Sequence, residues 1–106
     1  MKRSERQASI MSALFMRRQE AIANLAEEFH VSTRTIRSDI HELMEKFPIE
    51  TVRGRYGGGV KLADDYYPYQ RRLNRKQYQL LLELRKNLHG TDLIIMNSIL
   101  SQFAPF

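Results

Sequence analysis

Cysteine is absent from the 106 residues, and disulfide bonds, thiolate metal sites and cysteine nucleophiles are excluded with it. That absence fits a cytoplasmic location. Long hydrophobic runs are missing too. The most apolar window, Leu93 to Leu100, is interrupted by Asn97 and Ser98 and is far too short to span a bilayer. The basic start Met1-Lys-Arg-Ser-Glu-Arg6 has no apolar stretch behind it, so no signal peptide is read. No Ser-His-Asp set or paired carboxylates fall together on convincing elements, so no enzymatic activity is expected. His41 and Glu45 stand four apart, but His30 and His89 are distant in sequence, and neither a metal nor another cofactor is expected. The glycine run 57–59 lacks the Lys-Ser/Thr that follows a phosphate-binding loop. Repeats and low-complexity tracts are not found.

What remains is an ordinary globular composition, 42% apolar and 27% charged, with a net charge of +5 that favours polyanionic partners. Ile10, Met11, Leu14 and Phe15 share one face of a helix over residues 4–16, for which Ser4 serves as N-cap. Ile22, Leu25, Ala26 and Phe29 mark a second helix. Its start carries no Ser, Thr, Asp or Asn to cap it. His30-Val31 makes a turn, with His30 in the left-handed position that glycine usually fills. Ser32 caps a third helix, residues 33–46, which Pro48 terminates. Ile49-Glu-Thr-Val-Arg53 and Val60-Lys-Leu62 read as strands joined through Gly57-Gly-Gly59. After the charged, aromatic stretch Asp64 to Tyr69, one helix is read over residues 74–88. Gly90 breaks it, and Thr91 caps a last helix through Phe103.

The expected fold is mainly α with a small β-hairpin. A winged helix-turn-helix over residues 1–63 and a linker over 64–73 lead to a C-terminal helical hairpin over 74–106 that serves dimerisation. On the third helix, Ile36, Ile40, Leu43, Met44 and Phe47 fall within about 100° of one another and face the core. Arg34, Ser38, His41 and Glu45 lie opposite, with Thr35 and Arg37 on the flanks. The N-terminal half of this helix is the part that meets base edges in a helix-turn-helix, and arginine there can donate twice to guanine. Ser32 and Thr33 stand at the helix start, where free N–H groups favour a phosphate. Asp39, Glu42 and Glu45 would be repelled by phosphates, which argues for insertion end-on. Arg53, Arg55, Tyr56 and Lys61 arm the hairpin for an adjacent backbone or minor groove.

Leu25-Ala-Glu-Glu-Phe29, Val31-Ser32, Thr35-Ile-Arg-Ser-Asp-Ile40, Phe47-Pro-Ile-Glu50 and Arg53-Gly-Arg-Tyr-Gly-Gly-Gly59 together resemble DeoR-like winged-helix regulators. They are similar also to the N-terminal domains of WYL-type regulators. The resemblance covers residues 3–62. It implies DNA contacts from Ser32, Arg34, Thr35, Arg37, Ser38, Arg53 and Arg55, and dimeric binding to a roughly two-fold operator. The chain departs from the pattern in lacking the cap of the second helix and in carrying Ser38 where a second arginine is common. No room is left before Phe106 for the family's larger sensor domain, and no small-molecule effector is evident.

Double-stranded DNA and a second copy of the chain are therefore the expected partners, with no membrane involved. The function expected is transcriptional regulation. Two other readings stay open. A winged-helix module that binds proteins is favoured by the acidic half of the third helix. An N-terminal piece of a larger ligand-sensing regulator is favoured by the short tail.

Overall fold

The computed structural model describes residues 1–55 and 57–105. Among them the chain forms five helices and one three-stranded antiparallel sheet, a winged helix-turn-helix followed by two helices. Two compact units are distinguished, Met1–Tyr66 and Tyr67–Phe106. Among the described residues no helix is long and apolar enough to cross a membrane.

The first unit begins with α1 (Arg3–Arg17), whose Ile10, Met11, Ala13 and Leu14 are buried. Ser4 is not its cap. The helix starts earlier, Lys2 holds the N-cap position without a side-chain bond, and the Arg6 N–H donates to the Lys2 carbonyl at 2.9 Å. The earlier start brings Arg3 into contact with carboxylates of the third helix, a contact not visible in local sequence. α1 stops at Arg18, which takes φ +70 while its N–H returns to the Leu14 carbonyl.

A strand not anticipated from sequence follows, β1 (Gln19–Ala21), and leads directly into α2 (Ile22–Phe29). Three residues of mixed polarity carry no readable alternation. They become a strand because β3 (Gly59–Leu62) lies alongside. β3 pairs on its other edge with β2 (Ile49–Val52), giving the order β1-β3-β2. Ile49 opposite Leu62, and Thr51 opposite Val60, share one face of the sheet, and Ile49, Val60 and Leu62 are buried there. Between β1 and β2 in sequence, α3 (Thr33–Leu43) buries Ile36, Ile40 and Leu43 against the same core, where Leu25 is also fully buried.

α3 is shorter than the expected 33–46. Its last turn tightens, with Glu45 and Lys46 donating back three residues to Glu42 and Leu43, because Pro48 forbids a helical conformation at Phe47. Met44 and Phe47 still pack on the core, and Phe47 meets Phe15 edge to face at 6.0 Å between ring centres. Tyr66 closes the same core.

In the second unit, α4 (Arg75–Arg85) opens with a capping box. The Asn74 side chain accepts from the Gln77 N–H, and the Gln77 side chain accepts from the Asn74 N–H, each at 2.8 Å. The helix ends before residue 88 in a turn of three-residue bonds through Asn87 and Leu88. α5 (Gly90–Phe103) does not start from a Thr91 cap. His89 holds that position without a side-chain bond, and Gly90 at φ +58 already begins the helix. The Leu73 N–H donates to the Phe103 carbonyl at 2.8 Å, bringing the start of α4 to the end of α5. Leu100 is buried, whereas Leu80, Ile94 and Ile95 are more than half exposed.

Candidate nucleic-acid interface

α2 and α3 are joined by a turn whose geometry follows from one residue. His30 adopts φ 56, ψ 43, and its N–H and that of Val31 donate back to the carbonyls of Glu27 and Ala26. This is the bonding that closes a helix through a left-handed residue, performed by histidine in place of glycine. Ser32 then caps α3 as its sequence position implies. Its Oγ accepts from the Thr35 N–H at 3.1 Å and lies 3.0 Å from the Thr35 hydroxyl. Thr35 is therefore half-buried and engaged with the cap, while Ser32 and Thr33 remain exposed at the helix start.

Arg34, Ser38 and His41 stand in an exposed row along α3, spaced by four and three residues so that they share a face. Ser38 accepts from the Arg3 guanidinium at 3.3 Å. Arg3, half exposed on α1, thus reaches this row from another element, which residue patterning on α3 alone did not reveal.

The acidic residues of α3 sit elsewhere. Asp39 is completely buried and faces α1, not the exposed row. It accepts from Arg6 Nε and, at 3.1 Å, from Arg6 Nη2, while Gln7 donates at 3.3 Å and Arg3 Nε lies at 3.6 Å. Hydrogen bonding to Asp39 is the main cause that holds the Arg6 guanidinium above its ordinary pKa. Glu42 pairs with Arg3 and accepts from Gln7 at 2.7 Å. The repulsion of phosphate expected from Asp39, Glu42 and Glu45 therefore narrows to Glu45. The physical reason is that two of the three carboxylates are neutralised across the α1–α3 contact.

The wing carries Arg53 and Arg55, both exposed. Tyr56, expected beside them, lies outside the described residues. Gly57 and Gly58 turn the chain at φ +87 and +72. A β-carbon on Gly58 would come within 2.5 Å of the Val52 carbonyl oxygen, so no other residue fits without a shift. Arg37, exposed on the flank of α3, donates to the Gly57 carbonyl at 3.1 Å. The structure thus brings the helix and the wing together through this arginine. Lys61 is not brought to the same place. It pairs in register with Glu50 near the base of the hairpin, and its Nζ lies 3.7 Å from Glu50 and 3.5 Å from Asp64.

The missing cap of α2 is also explained here. The Glu20 carboxylate accepts from the Ala21 N–H at 2.8 Å and from Asn24 at 2.9 Å, and the Ile22 N–H donates to the Gly58 carbonyl at 3.1 Å. The Glu20 carboxylate takes the N–H of the N-cap residue Ala21 and the Gly58 carbonyl takes the first helical N–H, at the start of a helix that lacks Ser, Thr, Asp or Asn.

These bonds, Asn24 first and then the Ala21 N–H and Arg17, hold the Glu20 carboxyl below its usual pKa. A carboxylate depressed in the folded state stabilises that state above its unfolded pKa, and the contribution disappears as pH falls through the folded value. Glu20→Gln is accordingly expected to melt below the wild type at neutral pH, with the gap closing as pH drops below roughly 4. Calorimetric melting temperatures across pH check this. A gap of the same size at pH 7 and about pH 3 would remove charge from the explanation.

The sequence model of the family described as "HTH domain" matches residues 6–61, just over half of the chain, from within α1 to β3. No curated protein and no solved structure matches the chain.

Proposed function

The chain belongs to the helix-turn-helix domain family, and from that premise we propose that it is a sequence-specific DNA-binding transcriptional regulator of the DeoR-like or WYL-type kind. The start of α3 enters the major groove, with Arg34, Ser38 and His41 toward base edges. Ser32, Thr33, Arg53 and Arg55 hold phosphates on either side, and the wing reaches the adjacent backbone or minor groove. Thr35 supports this surface through the Ser32 cap. Lys61 contributes less, since it already shares its charge with Glu50 and Asp64.

The single observation that carries the reading is the exposed row Arg34, Ser38 and His41, set on a capped helix whose opposite face is buried. Its own acids Asp39 and Glu42 are turned to α1, so the row is free of two of the charges that would oppose a phosphate backbone. No catalytic step is proposed, and a cytoplasmic location is part of the same proposal.

The test is a mobility-shift titration over salt. If Arg53 and Arg55 of two protomers each neutralise one phosphate, log affinity should fall against log salt with a slope near −3.6. A flat dependence would leave the DNA reading without support.

The protein is proposed to bind as a homodimer through its C-terminal helices. The exposed Ile94, Ile95 and Leu80 support this, as does the apolar excess of α5. Two recognition helices would then lie on the order of 34 Å apart, one DNA turn. Analytical ultracentrifugation should show the full chain as a dimer and a version ending near Tyr69 as a monomer. A monomeric full chain at roughly tens of micromolar, a protein Kd weaker than most specific dimers, would end the dimer proposal.

A further inference from the structure

We infer that Arg37 is a positioning residue that ties the tip of the wing to the recognition helix and so aims the two DNA-facing elements together. It does this in place of reading a base. The inference rests on the DNA-binding reading above and assigns one of its arginines a different task.

Three observations converge on it. First, Arg37 Nη2 donates to the Gly57 carbonyl at 3.1 Å, across twenty residues of sequence. Second, Gly57 stands at φ +87, and a β-carbon there would come within 2.8 Å of that same Nη2. The guanidinium tip lies against Gly57, whose positive φ is a conformation that residues with a side chain rarely adopt. Third, the space between helix and wing is not filled. Ile40 of α3 and Val60 of the hairpin share the core, but above them an open pocket of about 280 Å³ is lined by Arg37, His41 and Met44 on the helix side and by Thr51, Val52 and Gly57 on the wing side. Apolar packing thus joins the two elements at their base and stops short of the wing tip, where the Arg37–Gly57 bond is the polar link.

The neighbouring carbonyl strengthens the case. Gly58 accepts from the Ile22 N–H at the start of α2. Two consecutive carbonyls of the wing are thus held by the two helices of the helix-turn-helix, one by a main-chain donor and one by Arg37. Guanidinium has five donors in a rigid plane, and a bidentate grip on guanine needs one whole edge of that plane. With one Nη engaged by Gly57, Arg37 retains donors for a phosphate. The single bond to Gly57 fixes where the remaining N–H groups point, and a reorientation of the fork that broke it would release the wing.

The full chain is tested as wild type, Arg37→Met, Arg37→Lys and Gly57→Ala. Without DNA, backbone order parameters at Gly57 and Gly58 should fall in Arg37→Met from near ~0.85 to below ~0.6. Arg37→Lys, which keeps a cation and a donor, should restore most of that order. In selection from a random DNA pool, Arg37→Met should keep the wild-type consensus while binding every sequence roughly tenfold more weakly. Gly57→Ala should act in the same direction, and the double variant should be weaker by less than the sum of the two.

Unchanged wing order in Arg37→Met would overturn the inference, and so would a lost preference at one base position. If the wild type selects no DNA sequence, the DNA reading falls by itself. The order parameters measured on free protein then still decide whether Arg37 holds the wing.

Discussion

Replacing Asp39 with alanine is expected to destabilise the helix-turn-helix unit by about 3 kcal/mol. The carboxylate is completely buried, and Arg6 donates to it through two nitrogens, with the Arg6 side chain only 13% exposed. An exposed ion pair contributes at most about 1 kcal/mol, whereas removing one member of a buried pair costs ~3–5. The lower end of that range applies, because Arg6 keeps some access to water and Arg3, half exposed, can follow solvent. A unit of this size is stable by only ~3–10 kcal/mol in total. The variant should thus lose a third or more of its stability, and any loss of DNA binding should follow the fraction unfolded.

Asp39→Asn separates charge from shape. It retains one acceptor for Gln7 or Arg6 and gives up the negative charge, so an intermediate loss is expected. Urea denaturation followed by circular dichroism measures both variants. A loss under about 1 kcal/mol for the alanine variant would mean that the cluster behaves like a surface pair. The role given to it in orienting α3 on α1 would then be wrong.

The second large effect concerns recognition. Arg34→Ala should reduce discrimination between the preferred site and unrelated DNA by roughly 10- to 100-fold, the measure of one bidentate contact to a base edge. Stability should hardly change, because Arg34 is exposed and makes no ion pair among the described residues. Affinity for unrelated DNA should also persist, since it comes from phosphate contacts.

Arg55→Ala is the contrast within the same experiment. It should weaken all sequences alike and flatten the salt slope by about 1.8, one phosphate contact in each protomer of the dimer. Equal losses of discrimination from both variants would dissolve the division between a reading helix and a gripping wing. Competition binding at fixed salt, with the selected site and a scrambled duplex, resolves the two outcomes.

Much of this arrangement was legible before any coordinates. Ser32 lies where a short polar acceptor can reach the Thr35 N–H, and Pro48 bars the helical conformation at Phe47; both act within a few residues. The burial of Ile36, Ile40 and Leu43 follows from their spacing, and so does the exposure of Arg34, Ser38 and His41. His30 in the left-handed region was readable for the same reason, because the tight turn between two helices demands it. The start of α1 lies before Ser4 because a capping residue in sequence is only an offer. Lys2 holds the position instead, with Arg3 drawn onto Glu42.

The remaining features depend on partners far along the chain. β1 exists because β3 offers it a free edge, and the first amide of α2 is taken by the Gly58 carbonyl, far along the chain. Asp39 looked like an exposed charge on α3, yet its partner Arg6 lies 33 residues away. Lys61 looked like a wing cation until the strand register set it against Glu50.

By itself, then, the sequence determined the helices, the turn, the hairpin and which face of α3 is apolar. Those depend on backbone sterics, capping and hydrophobic spacing, which act over a handful of residues. Only the tertiary structure decided which charges are neutralised and which remain for DNA, and it alone bridged Arg37 to Gly57. A carboxylate or guanidinium has the same intrinsic chemistry wherever it stands; burial and the identity of its neighbour are set when α1, α3 and the wing pack together.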